Sequence, residues 1–305
     1  MERTTCLFLI LSIVARDSPK LEPSTKFHLR IKYSLTCNGT RSINVVSLIP
    51  KIFDGEQMVK NVTFSESPLK VFEVEGAKYA EFSFSTPPLI VNLEINATVH
   101  RSQDVLWSSD LEPMRKRGRK VPLYNSRGKL GDFLIDERYI EKSNPLIRQI
   151  ASQVKAEDEI DTIKNTLFYL RDNFKYRADP SPGGGGATKL VDLKVGDCSE
   201  FTDLFVALCR SNEIPSRAVR GVMSYKNIPS KHAWAEVHLK KYGWFQVDPT
   251  MSTMKDQESP RQREAFYICM TKLRNDDTIC NYMFGICRWQ VGKVRMDDEI
   301  EMTVE

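Results

Sequence analysis

The N-terminal part of the chain alternates between apolar and polar residues in short runs. These runs lie between Lys26 and about residue 106, and turns rich in asparagine, glycine, proline and serine separate them. A period of two places successive side chains on opposite faces of a β-strand. Several short strands at this spacing predict a β-sandwich-like accessory domain over residues 21–110. No cluster of catalytic residue types occurs in it, so we expect a structural or binding module.

The pattern changes to a helical period beyond residue 141. The segment 144–156 repeats apolar residues three and four positions apart, with Asn144 at the capping position and Pro145 at the first helical position. The segment 157–174 carries acidic residues at its start and a second apolar stripe. We expect two amphipathic helices here.

A third helix and three strands are expected further along. The stretch CSEFTDLFVALCRSN begins at Cys198, directly after Asp197, which is a good capping residue. The segments SRAVRGVMSY, HAWAEVHLKK and YGWFQVDPT indicate strands. Together they predict an α+β core over residues 141–255, in which helices pack on an antiparallel sheet.

The remaining segments join or extend these two domains. A basic linker is expected over residues 111–140, and a β-rich extension over residues 256–305. The basic charges concentrate in the run Arg115–Lys120, which could bind phosphate or act as a localisation or processing site, but is more simply a solvated linker. The formal net charge of +4 is too small to predict a nucleic-acid partner.

The N-terminus carries a short apolar run, Cys6–Ala15, between two arginines. It is shorter than the roughly 18 apolar residues of a membrane-spanning helix, so no membrane span is predicted. Its length and flanks favour a signal segment within residues 1–20, although a buried first strand would give the same pattern. We therefore expect an exported chain, with a cytoplasmic location as the alternative.

Seven cysteines occur, without a CxxC pair and without the crowding of a disulfide scaffold. Cys269, Cys280 and Cys287 lie near one another in the sequence. They could hold one disulfide in an exported protein, or remain reduced packing thiols otherwise.

Cys198 and Cys209 lie on one predicted helix, eleven residues apart (209 − 198). This is roughly 16 Å along the axis at about 1.5 Å per residue, whereas a disulfide requires Cα atoms within roughly 7 Å. Cys198 is in the first turn, where unpaired backbone N–H groups and the helix dipole favour a thiolate. Cys209 is more simply a buried apolar residue.

A nucleophilic cysteine needs a base and a group that orients the base. His232 opens the predicted strand HAWAEVHLKK, and His238 lies deeper on the same face. Asp248 ends the next predicted strand, just before Pro249. A hairpin through KKYG would bring Asp248 alongside His232, so the sequence predicts a Cys–His–Asp arrangement.

No metal and no cofactor is predicted. Cys198, His232 and Asp248 could in principle hold a metal ion, but no CxxC or HxxxH spacing supports this alternative. The glycine run at 183–186 lacks the Gly-Lys-Ser/Thr sequence of a phosphate-binding loop and is expected to be a flexible loop.

The stretch GDCSEFTDLFVALCRSNEIPSRAVRG, followed by HAWAEVHLKKYGWFQVDPT, resembles the transglutaminase-like superfamily of papain-like cysteine enzymes. It is similar to microbial members that carry an N-terminal β-domain. The resemblance covers about residues 144–251. Two departures are minor: Glu213 replaces a glycine that is usual in the family, and Lys241 occupies a turn position where proline or glycine is common.

The resemblance implies a papain-like core with assigned roles for its site residues. Cys198 would be the nucleophile, His232 the general base and acid, and Asp248 the group that orients the imidazole. The family's oxyanion hole uses the backbone N–H of the nucleophile and a second donor from upstream, for which Tyr176 is the candidate. Trp234 and Trp244 are expected to be packing residues.

The implied reaction is attack of Cys198 on an amide of a peptide or protein substrate, giving a thioester. Resolution by water would make the protein a peptidase or amidase, which we favour, and resolution by an amine would make it a cross-linking transglutaminase. A binding module with a vestigial triad is the remaining alternative. The oligomeric state cannot be predicted from the sequence.

Overall fold

The computed structural model describes residues 25–101, 105–106, 129–178, 185–253 and 265–305. The predicted signal segment at Cys6–Ala15 and the basic run Arg115–Lys120 lie outside the described residues, as does the first half of the glycine run. The architecture is α+β, which confirms the predicted fold class. In the described part of the chain, no helix combines the length and the apolar character needed to cross a membrane.

The N-terminal residues form a β-sandwich with two antiparallel sheets. Along the first strand the buried residues Phe27, Leu29 and Ile31 alternate with more exposed polar residues, as the period-two pattern predicts. The strands are β1 (Thr25–Asn38), β2 (Ser42–Leu48), β3 (Gln57–Phe64), β4 (Lys70–Val74), β5 (Ala77–Ser85) and β6 (Ile90–Arg101), together with β14 (Gly285–Gln290) and β15 (Lys293–Val304). One sheet has the order β15-β1-β6-β3, and the other has the order β14-β2-β5-β4.

The residues of the predicted C-terminal extension are divided between two sheet systems. Strand β15 pairs with β1 from Phe27↔Val304 to Asn38↔Lys293, and β14 pairs with β2. Strand β13 (Ala265–Thr271) instead joins the sheet of the core. The sandwich is therefore built from both ends of the described chain. Local periodicity carries no information on such long-range pairing.

The core contains a five-stranded sheet. In addition to β13, its strands are β7 (Val105–Leu106), β10 (Ser216–Tyr225), β11 (Ile228–Leu239) and β12 (Gly243–Val247). The strand order is β13-β10-β11-β12-β7. Strands β10, β11 and β12 form an antiparallel meander, whereas β7 pairs with β12 in parallel. Two further strands, β8 (Lys175–Tyr176) and β9 (Val195–Gly196), form a separate parallel pair. Strand β9 ends just before the helix that begins at Cys198.

Helices cover the core sheet. A 3₁₀ helix (Leu130–Leu134) is followed by α1 (Pro145–Val154), α2 (Glu159–Asn173), α3 (Gly186–Leu193), α4 (Cys198–Ser211) and α5 (Pro249–Thr253). The predicted start of α1 is confirmed, because the side chain of Asn144 accepts from the backbone N–H of Leu146 at 2.9 Å and Pro145 is the first helical residue.

Helix α4 lies at the centre of the core. It packs against α1, α2 and α3 and also against β10 and β11, so nearly all of its residues are buried. Leu204, Phe205 and Leu208 are fully buried, and each such side chain contributes roughly 1.5–3 kcal/mol of hydrophobic stabilisation. This burial fixes the position of the helix start, where Cys198 lies.

The core sheet also packs against the sandwich. Val222, Ile268 and Met270 belong to the same apolar cluster as the inward residues of β1. The rings of Phe27 and Phe266 meet edge to face, with centroids 5.5 Å apart. The sandwich and the core are therefore joined through an apolar interface.

Candidate active site

A capping box fixes the start of α4. The side chain of Asp197 accepts from the backbone N–H of Ser199 at 2.7 Å, and the side chain of Glu200 accepts from the backbone N–H of Asp197 at 2.9 Å. Cys198 is the first residue of the helix and is 7% exposed. The predicted cap is confirmed, and the thiol lies where backbone N–H groups and the helix dipole favour an anion.

Glu200 also connects the helix start to the end of the glycine run. Its carboxylate accepts from the backbone N–H of Gly185 at 2.8 Å and is almost fully buried. Burial, together with the hydrogen bond and negative charge of Glu200, raises the pKa of Asp197 from 3.8 to about 7. The two carboxyl groups flank the nucleophile candidate on its own helix turn.

His232 and Asp248 lie together, as the predicted hairpin requires. Strands β11 and β12 pair with Ala235 opposite Val247, so Asp248, which follows β12, comes close to the part of β11 that carries His232. The prediction that His232 opens this strand is wrong, because β11 begins at Ile228, where residues 228–231 already pair with β10. His232 Nε2 donates to Asp248 Oδ2 at 2.7 Å. Both residues are buried, and the backbone N–H of Met251 donates to Asp248 Oδ1 at 3.0 Å. Asp248 is thereby held at the start of α5.

His232 connects Asp248 to Cys198. Its Nε2 is taken by the carboxylate, and the imidazole also lies close enough to the Cys198 side chain for that thiol to raise the pKa of His232. Burial alone would lower the pKa of His232, but the negative charge and hydrogen bond of Asp248 outweigh it, with a smaller contribution of Cys198 in the same direction. The pKa of His232 rises from 6.5 to about 10. The charged imidazolium is therefore the stable form at neutral pH, which suits a partner of a thiolate.

Tyr176 lies beside the thiol candidate. Tyr176 on β8 pairs with Gly196 on β9, and Gly196 is two residues before Cys198 in the sequence. The ring of Tyr176 contacts that of Phe201, with centroids 6.2 Å apart. Tyr176 is 45% exposed, and the partial burial of its hydroxyl, together with the negative charges of Cys198, Asp197 and Asp248, raises the pKa of that hydroxyl. The hydroxyl thus stays protonated and can donate.

Tyr267 on β13 is a site residue that the sequence does not reveal. Its hydroxyl donates to Asp248 Oδ2 at 2.8 Å, and the residue is 3% exposed. Its ring packs edge to face on Trp234, which in turn lies nearly parallel to the His232 ring. In the sequence Tyr267 is one aromatic residue in a strand-like tail. Only the pairing of β13 with β10 brings it to the site.

Other highlighted residues lie elsewhere or serve packing. His238 is near Trp244, with ring centroids 5.4 Å apart, at the other end of β11. Cys209 is fully buried, and burial raises its pKa, so the predicted packing role is confirmed. Trp234 and Trp244 are buried as well.

The remaining cysteines do not form the disulfide considered above. Cys269 is buried in β13, Cys280 is exposed and Cys287 is buried in β14, and all three are free. Among the described residues, no group of three or more histidine, cysteine, aspartate or glutamate side chains is arranged to hold a metal ion.

Comparison with known proteins finds a family whose sequence model matches the core. Residues 148–249, which include Cys198, His232 and Asp248, match the sequence model of the transglutaminase-like superfamily. The match covers 102 of the 305 residues and agrees with the sequence resemblance of the core. A stretch of 202 residues is 25% identical to the uncharacterised protein YebA of Bacillus subtilis, covering 54% of this chain and 27% of YebA. The chain thus spans only part of that relative.

The chain is also similar to solved structures, one of which shares its fold. A candidate cysteine protease from Cytophaga hutchinsonii superposes with a TM-score of 0.67 at 16% identity, over 93% of this chain and 91% of that chain. The shared fold therefore includes both the sandwich and the core. The periplasmic domain of TgpA from Pseudomonas aeruginosa is more distant, with a TM-score of 0.37 at 14% identity over 76% of this chain and 89% of that chain.

Proposed function

We propose that the protein is a thiol-dependent acyl-transfer enzyme that acts on a peptide or protein amide through a Cys198–His232–Asp248 triad. The observation that carries this proposal is the buried imidazole of His232, which is hydrogen-bonded to Asp248 at 2.7 Å and interacts with the side chain of Cys198. A nucleophile, a base and an orienting acid in contact are the minimum set for covalent catalysis by a thiol.

In the first step the Cys198 thiolate attacks the carbonyl carbon of the amide. The C–S bond forms, and the carbonyl electrons move onto oxygen. The His232 imidazolium then gives its proton to the departing nitrogen as the C–N bond breaks, which leaves a thioester and a neutral imidazole. Asp248 keeps the imidazole oriented and stabilises its charged form.

The tetrahedral intermediate needs donors for its oxyanion. The backbone N–H of Cys198 is at the helix start, where the first N–H groups have no partner within the helix. The Tyr176 hydroxyl, held beside Gly196, is the second donor in this proposal. Loss of one such donor typically reduces kcat by about 100- to 1000-fold.

In the second step another nucleophile resolves the thioester. The neutral imidazole of His232 takes a proton from water as oxygen attacks, and the thiolate leaves to give the acid and the starting enzyme. An amine in place of water would give a new amide. We favour hydrolysis, because water is always present at the thioester, whereas aminolysis needs a second site that holds the amine. Hydrolysis is also the reaction of a cysteine protease, the class to which the similar Cytophaga hutchinsonii protein is assigned as a candidate.

Alkylation by iodoacetamide, mapped by mass spectrometry at about pH 6, tests the ion pair. An ordinary thiol with a pKa of about 8.5 has less than about 1% thiolate at this pH. We expect Cys198 to react at least about ten times faster than Cys280, because only Cys198 has an imidazolium partner.

Cys280 is a stringent internal control, because exposure alone predicts the opposite order: Cys280 is exposed, whereas Cys198 is 7% exposed. The variant His232→Ala should reduce the Cys198 rate to that of Cys280 or below. Equal rates of the two thiols in the wild-type protein would contradict the proposal.

A further inference from the structure

One carboxylate oxygen of Asp248 accepts from two buried donors. Oδ2 accepts from His232 Nε2 at 2.7 Å and from the Tyr267 hydroxyl at 2.8 Å. The other oxygen accepts from the backbone N–H of Met251. Because Asp248 itself is fully buried, its orientation depends on these protein donors rather than on solvent. Tyr267 thus contributes one of the hydrogen bonds that fix the carboxylate.

A side chain of the sandwich holds the strand that carries Tyr267. Arg101, the last residue of β6, is 3% exposed, and its Nη1 donates to the backbone carbonyl of Tyr267 at 2.7 Å. Its Nη2 donates to Oε1 of Gln246 on β12, and the guanidinium lies 5.9 Å from the ring centroid of Trp234. One guanidinium therefore connects two strands of the core sheet that are not neighbours.

A second sandwich residue binds the same strand. The side-chain amide of Gln57 on β3 donates to the carbonyl of Cys269 at 2.8 Å and accepts from the N–H of Cys269 at 2.9 Å. This reciprocal pair occupies the outer edge of β13 as a neighbouring strand would. Next to it, Glu56 forms an ion pair with Lys272 at 2.8 Å. Strand β13 is thus fixed from the sandwich at several points.

We propose that Tyr267 is a positioning residue of the active site and that the β-sandwich acts on catalysis through it. Arg101 and Gln57 fix β13, Tyr267 fixes the carboxylate of Asp248, and Asp248 orients His232. This inference rests on the proposed function for its effect on turnover, but not for its effect on the imidazole. The accessory domain then forms part of the support of the triad.

The variant Tyr267→Phe isolates the hydroxyl, because the ring on Trp234 is kept. Oδ2 of Asp248 then has one donor fewer, so its attraction for the imidazolium increases and the pKa of His232 rises further. At the same time the carboxylate is less well oriented. We expect kcat to fall about tenfold with little change in KM, from the loss of one hydrogen bond to a charged group.

Tyr33→Phe is the matched control. The Tyr33 hydroxyl is also buried and hydrogen-bonded, to Ser47 at 2.7 Å, but within the sandwich core. It should reduce stability to a similar extent as Tyr267→Phe and leave turnover and the titration of His232 unchanged. A general effect of losing one buried hydroxyl is thereby separated from an effect on the site.

The readout independent of activity is the NMR titration of His232 in the full-length chain. An upward shift of its pKa in Tyr267→Phe, absent in Tyr33→Phe, supports the inference even if no turnover is found. Unchanged titration and turnover in Tyr267→Phe would overturn the inference and leave the proposed function standing. Failure of the Cys198 alkylation test in the wild-type protein would instead overturn the proposed function.

The contribution of the sandwich is tested by Arg101→Lys. An ammonium group keeps the charge but cannot reproduce the two-pronged contact of the guanidinium with Tyr267 and Gln246. We expect Arg101→Lys to reduce kcat several-fold in the wild-type protein. In the Tyr267→Phe background, the same substitution should cause no further reduction in kcat. Fully additive effects in this double-mutant cycle would contradict action through Tyr267. If Arg101→Lys does not fold, Gln57→Met serves in the same cycle.

Discussion

At the scale of single residues, the candidate site depends on one buried charge pair. Asp248 has no exposed surface and His232 is 4% exposed, so their attraction is little screened by solvent. An isolated imidazolium at this depth would be unfavourable, and the carboxylate reverses the sign of that effect. The charge state of His232 therefore depends on its partner more than on burial.

The variant Asp248→Asn removes the charge and keeps the shape. In the wild-type protein the folded-state pKa of His232, about 10, lies above its usual 6.5. The pair therefore contributes stability that is fully present below about pH 6.5 and is lost as the pH rises through about 10. Burial alone lowers the pKa in the variant, so this contribution disappears there. Urea unfolding at about pH 6, 8 and 10 should show a difference between wild type and variant that shrinks with rising pH. A difference that does not depend on pH would contradict this account.

The site residues differ in how well the sequence predicts them. Cys198 and Asp248 stand at recognisable element ends, a capped helix start and a strand end before Pro249, whereas His232 lies within β11. Tyr267 has no such signal, because its approach to Asp248 depends on the pairing of β13 with β10. Arg101 likewise has no recognisable signal in the sequence, because its contacts with Tyr267 and Gln246 depend on the packing of the sandwich against the core.

At the scale of secondary structure, Glu213 at the end of α4 occupies a position where the sequence resemblance predicts glycine. Glu213 has a φ of 59°, in the left-handed region, and Ile214 N–H donates to the carbonyl of Cys209 at 2.9 Å. The Glu213 N–H donates to the carbonyl of Arg210 at 3.1 Å, which completes a Schellman motif. Glycine is favoured at this position because a Cβ atom is strained there. The left-handed backbone at position 213 therefore favours glycine, which is the residue that the resemblance predicts there.

The variant Glu213→Gly should therefore be more stable than the wild-type protein. Relief of the left-handed conformation is expected to contribute about 1 kcal/mol, because the Glu213 side chain is largely exposed and its nearest ion-pair partner is 4.0 Å away. The midpoint of urea unfolding measures the effect. Glu213→Ala removes the same charge but keeps the strain, so it should not increase stability. Equal stabilisation by both variants would show that charge, rather than backbone conformation, is responsible.

At the scale of the whole molecule, the helices pack on the core sheet and the sandwich packs against the same sheet. The period-two and helical patterns predict the two types of region and the order of the elements. They do not predict that β14 and β15 belong to the sandwich. The apolar pattern of a strand indicates which of its faces is buried, but not which strand it pairs with. This return places the C-terminal strands beside the N-terminal ones and sets β13 between the sandwich and the triad.

The central claim is that Cys198 carries the acyl group during turnover. Its most direct test is mass-spectrometric mapping of the full-length protein after rapid quenching with a panel of peptide amides and activated peptide esters, with and without an added amine. We predict an acyl adduct on the peptide that contains Cys198, absent in Cys198→Ala, and release of the free acid as the main product even when amine is present. A dominant amide product would instead favour cross-linking. Turnover that persists in Cys198→Ala, or an adduct confined to another residue, would contradict the account.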